Sequence, residues 1–349
     1  MVRLRCLSCL MAVLGSCTFQ VPVQPLCEGA FCPQDLSGPP PVGSPADLGA
    51  PDLSAPDLVP PLDPGRDGPL PVGMLEVRVP IPGPFNDTDV TILAPGRAQE
   101  LDAGPFPLVL ISPAMWVPRD QYLGYARRLA SHGLMAAAQS PRNELDVTAY
   151  RNHTRSVLDW LLAPSGQGAD RVRGRADPSR VGLLGHGRGA KISFLVAAID
   201  SRIRALLAID PVDSSEALTA RMVVPGLNLG GAALVLLGET VSRGGGAACP
   251  QPDEDFEALY MLARGPAVRI TFSDAGHHDF VADRARCGWV CAVCPSGSSP
   301  PERTHALAVK YAAAYFLHAL AGRAEALSFL TGAGFLQDAQ SGAVTQVSK

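Results

Sequence analysis

From Met74 onward, polar and apolar positions alternate between a short period and a longer one. MLEVRVPIP and DVTILAP alternate or run apolar, as strands do. PLVLISPA, from Pro107 to Ala114, is a short apolar run suited to a buried parallel strand. Asp120 to His132 has helical spacing, with Tyr122, Tyr125 and Leu129 on one face. LMAAAQ predicts the next strand. Val147 to Leu162 predicts a helix with Val157, Trp160 and Leu161 on its apolar side. RVGLLG predicts a strand and Ala190 to Ile199 a helix. RALLAID, AALVLLG and AVRITFSD predict three more strands, and THALAVKYAAAYFLHAL, from Thr304, a long apolar helix. Strands alternating with helices imply βαβ units, and so an α/β fold with a mostly parallel sheet covered by helices on both faces. The piece from Glu325 to Phe335 is expected to dock on this core, and the tail to be loose.

The N-terminal part lacks this periodicity. Arg3 and Arg5 precede an apolar stretch from Leu7 to Leu14, the layout of a secretory signal too short to span a bilayer as a mature helix. Leu14-Gly15-Ser16-Cys17 resembles a bacterial lipobox, which implies cleavage before Cys17 and lipid attachment there. From Pro33 to Pro71 the chain is rich in Pro, Gly, Ala and Asp, and Asp-Leu pairs recur at 47–48, 52–53 and 57–58. Such a segment buries too little apolar surface to offset its ordering entropy. Proline stiffens it, and about 40 residues would reach on the order of 100 Å. The expected organisation is a lipoprotein signal over residues 1–16, a disordered tether over 17–72, one domain over 73–337 and a loose tail over 338–349. The chain is then expected outside the cytoplasm, held on a membrane by its lipid, in the periplasm or on the cell surface.

Composition adds two constraints. The net charge of −4 gives no basic footprint for nucleic acid. Six of the nine cysteines remain after the leader and Cys17 are set aside: Cys27, Cys32, Cys249, Cys287, Cys291 and Cys294. An even number in an oxidising compartment favours disulfides, and Cys27 with Cys32 is a plausible local pair. The CxxC at Cys291 and Cys294 is a single such pair, so disulfide outweighs zinc there.

Candidate chemistry centres on GLLGHGRGAK, Gly182 to Lys191, where a strand enters a glycine turn and then a helix. Two readings fit. Gly185, Gly187 and Ala190 satisfy the dinucleotide fingerprint G-x-G-x-x-[GA], with Asp210 near the place of the ribose-binding acid. The same turn fits the nucleophile elbow G-x-S-x-G with glycine at its centre. A strand-end acid, Asp210, and then a histidine, His277 in DAGHHDF, follow in the chain order of an α/β-hydrolase triad. Export also weighs against a dinucleotide.

At these residues the chain resembles the chlorophyllase and polyester-hydrolase (cutinase-like) branch of the α/β-hydrolases. The resemblance runs from about Met74 to Ala321, through SHGLMAAAQ, RSVLDWL, DPSRVGLLGHGRGAK, AIDPVD, CPQPDEDFEAL and DAGHHDF. It implies an α/β-hydrolase fold with His277 as the general base, Asp210 as its orienting acid and Gly187 at the nucleophile position. Asp213 is the second candidate acid and Glu239 the third. The family's His-Gly after the preceding strand is replaced by Ser112-Pro113-Ala114, leaving the N–H groups of Ala114 and Arg188 as oxyanion donors. His278 and Asp279 are expected to support the loop rather than bind a metal. Glycine cannot form an acyl-enzyme. The expected protein is therefore a pseudo-hydrolase that binds an ester or lipid-like small molecule, with no cofactor and no metal. Two alternatives remain: an ester hydrolase using another nucleophile, such as Ser112, or a water activated by His277; and a dinucleotide-binding domain.

Overall fold

The computed structural model describes residues 61–82, 87–164, 170–243 and 249–349. The expected signal, Cys17, Cys27, Cys32 and most of the tether lie outside the described residues.

One sheet organises the domain. Its strands are β1 (Val72–Pro80), β2 (Asp87–Arg97), β3 (Glu100–Leu101), β4 (Phe106–Ser112), β5 (Met135–Gln139), β6 (Ala176–His186), β7 (Ile203–Ile209), β8 (Leu234–Glu239), β9 (Ala267–Phe272) and β10 (Val344–Ser348). Their order is β1-β2-β5-β4-β6-β7-β8-β9-β10, with β3 paired to β2 off this path. From β5 to β9 every pairing is parallel, while β1, β2 and β10 run antiparallel to their neighbours. This is an α/β-hydrolase fold. β6 lies in the middle, between β4 and β7, so the turn that follows it opens at the carboxyl edge of the sheet.

The period of two along the central strands splits the core between the two faces. Val109 and Ile111 of β4 face α1 (Leu123–Ser131) and α6 (Pro301–Ala321), among Tyr125, Leu129 and Phe316. Leu108 and Leu110 face the other way, towards α2 (Val147–Leu161), α3 (Arg188–Ala197) and α5 (Phe256–Leu262). Asp146 caps α2 by accepting from the N–H groups of Thr148 and Ala149, and Asp255 caps α5 in the same way from Glu257 and Ala258. The remaining helices are short: α4 (Ala220–Val223), α7 (Ser328–Thr331) and α8 (Ala333–Ala339).

Three expectations need correction. The ordered body begins well before residue 73. Asp67 pairs with Arg128 at 2.9 Å, and the N–H groups of Gly68 and Leu70 bond to Ser131, so the last part of the expected tether is laid against α1. The tail is not loose: β10 pairs with β9 from Val344–Phe272 to Ser348–Val268, and Val344 is buried. Five residues with two valines carry too little apolar pattern to stand out, and β9's open edge supplies the bonds. The helix expected from Ala190 starts two residues earlier, at Arg188.

Cys249 is bonded to Cys294, and Cys287 to Cys291. Both pairs hold the loop between β9 and α6.

Deleting residues 342–349 is expected to lower the thermal unfolding midpoint by several degrees, because it uncovers β9 and the core around Val344. Calorimetry on the truncated chain checks this; an unchanged midpoint would mean that β10 contributes nothing to the sheet.

Candidate active site

The turn after β6 is built around glycine. Gly187 has φ +55° and ψ −120°, a conformation that L side chains rarely adopt, and its N–H donates to Ile209 O at 3.0 Å. A Cβ added to Gly187 would lie 3.0 Å from His277 Nε2, 3.1 Å from Cε1 and 3.2 Å from the Ala114 methyl. The imidazole therefore sits against the bare Cα, partly in the space a side chain would need. Two residues on, a Cβ at Gly189 would lie 2.2 Å from Ser112 O, so α3 can pack on the end of β4 only with glycine there.

His277 and Asp210, 67 residues apart, meet at this point. His277 Nδ1 and Asp210 Oδ2 are 2.6 Å apart, and both side chains are buried. Burial disfavours charge on either group. It lifts the Asp210 carboxyl, against the bond from the Glu239 N–H, and depresses His277 to about 3. The imidazole is thus neutral at ordinary pH. With its proton on Nδ1, donated to Asp210, Nε2 turns its lone pair towards Gly187. Asp210 has φ +40°, backbone strain of the kind found at functional sites.

A second layer fixes the histidine. The His277 N–H donates to Ser242 Oγ at 2.7 Å, and Ser242 Oγ donates to Glu239 Oε1 at 2.9 Å. Glu239 Oε2 accepts from the N–H groups of Val241 and Ser242. The His277 carbonyl accepts from His186 Nε2 at 3.0 Å, while His186 Nδ1 meets the Tyr122 hydroxyl at 2.7 Å. A carbonyl only accepts, so Nε2 carries the His186 proton and Tyr122 donates to Nδ1. Asp279 holds the same loop by accepting from Gly276, Gly297 and Arg284. Its carboxylate is therefore committed away from His277, and the run His277-His278-Asp279 does not converge on one point.

The pocket in front of His277 is small, about 50 Å³, and is lined by Ala114, Met115, Arg188, Val212, Ser214, His277, His278 and Val290. Arg188 closes one side. Its guanidinium makes two bonds to Glu216, at 2.6 and 3.1 Å, and others to the carbonyls of Glu144 and Leu145. Buried Lys191 adds bonds to Ser214 O and Glu216.

Other expected residues fall elsewhere. Asp213 accepts from the N–H groups of Ala220 and Arg221, capping α4, and takes no part with His277. Glu239 braces the histidine loop but does not touch the imidazole. Ser112 Oγ is buried and accepts from Gln139 Nε2 at 2.8 Å; it does not line the pocket. The Ala114 N–H, expected to face an oxyanion, donates to the Tyr122 hydroxyl at 3.0 Å instead. Its neighbour Met115 lines the pocket. The Arg188 N–H is at the start of α3, where helix donors lack internal partners. The dinucleotide reading meets two obstacles: Asp210 is bonded to His277, and about 50 Å³ admits no pyrophosphate with its ribose.

Sequence reasoning missed Tyr122, His186 and Ser242. His186 stands inside the elbow motif itself, a signal that was available. Tyr122 looked like one more residue of an apolar helical face.

A family model described as Chlorophyllase matches residues 68–331. A solved structure, a ferulic acid esterase from Streptomyces cinnamoneus, is similar over 73% of this chain and 91% of its own, with a TM-score of 0.54 and 20% identity. No curated protein matches in sequence.

Glu239 gives a pH prediction. Burial, and then the neighbouring Asp210, raise it to about 7, against about 4.3 in an unfolded chain. Between those values the folded state holds more protons, so this group's contribution is full below about pH 4.3 and is lost as pH rises towards 7. Denaturant unfolding of the natural chain and of Glu239→Gln should show their stability difference shifting against the natural chain across that window. A difference independent of pH would mean that Glu239 is ionised throughout.

Proposed function

The chain belongs to the chlorophyllase family, and on that premise we propose that it is an exported, lipid-anchored pseudo-hydrolase. In this reading an ester or lipid-like ligand presents a small group to a pocket that keeps an acid and a histidine but no nucleophile. The observation that carries it is that the residue beside His277 at this turn is Gly187, with no side chain to act. In a working elbow a hydroxyl stands there: the base takes its proton while the oxygen attacks the carbonyl. Here the residue supplies no oxygen, and the ring lies 3.0 Å from where a Cβ would be. Loss of the nucleophile alone removes roughly 10⁶-fold in turnover in measured triads. The bonded Ala114 N–H removes one oxyanion donor as well; those of Met115 and Arg188 are the replacements.

A second reading has one observation in its favour. The Asp210–His277 pair is retained, with a neutral imidazole beside a pocket of water size. His277 Nε2 would take a proton from a water whose oxygen attacks the ester carbonyl. The C–O bond then breaks, and the imidazolium returns the proton to the departing alkoxide. Without covalent catalysis, that route is slow.

Hydrolysis of short p-nitrophenyl esters separates the two. The natural protein is expected to be inert, and Gly187→Ser to gain turnover that Gly187→Ser/His277→Ala loses. Serine at φ +55° beside His277 should lower stability by about 1–3 kcal/mol. Slow turnover in the natural protein that His277→Ala abolishes favours the water route. Strong turnover abolished by Ser112→Ala would overturn both readings.

A further inference from the structure

Two tryptophans stand at the mouth of the pocket with much of their surface in water. Trp116 is 46% exposed and Trp289 69%, and their ring centroids are 5.5 Å apart. Each adjoins a residue that lines the pocket: Met115 for Trp116, Val290 for Trp289. Leu145 and Val293, both exposed, extend the apolar edge. Leu145 follows Glu144, whose carboxylate accepts from the Trp116 backbone N–H at 2.7 Å, and the Val293 N–H bonds back to Val290 O.

The backbone displays the Trp116 ring at a cost and holds Trp289 in a cross-linked loop. Trp116 has φ +61°, strained for a bulky residue. Trp289 lies inside the short loop closed by Cys287 and Cys291, which the Cys249–Cys294 bond ties down again three residues further on. Exposed apolar groups gathered at one place mark a contact surface.

We propose that this rim is a membrane-contact surface, with Trp116 and Trp289 entering the headgroup region of a lipid bilayer so that the pocket mouth opens onto lipid. Three arguments select lipid as the occupant. Indole has an apolar body and a polar N–H, the combination enriched at membrane interfaces. The sequence ahead of residue 61 carries an apolar stretch, the lipid-attachment candidate Cys17 and a proline-rich segment, so a lipid on Cys17 would hold the domain at high effective concentration near a bilayer. The rim is also too small for a stable protein partner: four partly covered side chains fall well short of the ~800 Å² per partner that specific protein interfaces bury. The pocket agrees, since at about 50 Å³ it leaves the bulk of any lipid-like ligand outside. The inference rests on the lipid anchor of the proposed function and is independent of whether the site turns over an ester.

The chain has three tryptophans, so Trp160→Phe leaves only the rim pair to report. The full chain carrying this substitution is mixed with phosphatidylcholine vesicles brominated near the top of the acyl chains. The expected result is co-sedimentation, a shift of emission to shorter wavelength and loss of most of its intensity. In a Cys17→Ser background, Trp116→Ala/Trp289→Ala should lower the vesicle partition coefficient by about tenfold or more. Unshifted, unquenched emission from chain held on vesicles would overturn the proposal, as would failure to sediment. A shift that grows with protein concentration without vesicles would assign the rim to a second copy, and one produced by a soluble ester alone would assign it to that ligand. Either result also overturns it. The esterase assays with Gly187→Ser do not depend on any of these outcomes.

Discussion

The hydrogen bond between Asp210 and His277 sets the terms for everything around it. It joins the end of β7 to the loop after β9, with neither partner in water. A buried acid and a buried imidazole are each costly unless paired. The surrounding architecture keeps them paired. Glu239 and Ser242 hold the His277 amide, His186 holds its carbonyl, and Tyr122 orients His186. Asp210 itself bends into positive φ to present its carboxylate. This bracing draws on β6, β8 and the segment before α1.

Gly187 has two physical consequences. Glycine relieves the strain that a turn at φ +55° imposes on any other residue, and it leaves room for an imidazole that an added Cβ would meet at 3.0 Å. On the proposed reading, that turn is an elbow without its nucleophile. Restoring serine must push back a ring that is fixed at Nδ1 by Asp210 and, through its backbone, at both N–H and carbonyl.

Much of this was legible in the sequence. Short apolar runs such as Pro107–Ala114 gave the buried strands, because a parallel sheet covered on both faces needs them. The order of elbow, Asp210 and His277 pointed to one site, because strands of one parallel sheet end at one edge. What was hidden depended on three-dimensional neighbours. β10 takes its stability from β9's free edge more than from its own five residues. Tyr122 repeats the apolar pattern of its face, and nothing local says that its hydroxyl reaches both the Ala114 N–H and His186. The ordered end of the tether rests on Arg128 and Ser131, more than 60 residues away. The place of Ala114 after β4 suggests an oxyanion donor, but the Tyr122 hydroxyl takes that N–H.

The most direct test of the proposed loss of the nucleophile is intact-mass measurement after treatment with a fluorophosphonate, which phosphonylates an activated serine beside a histidine. The natural protein should gain no adduct, and Gly187→Ser should gain one, on residue 187. A stoichiometric adduct on any serine of the natural protein would contradict the account, because a nucleophile would then be at work that the geometry around His277 does not provide.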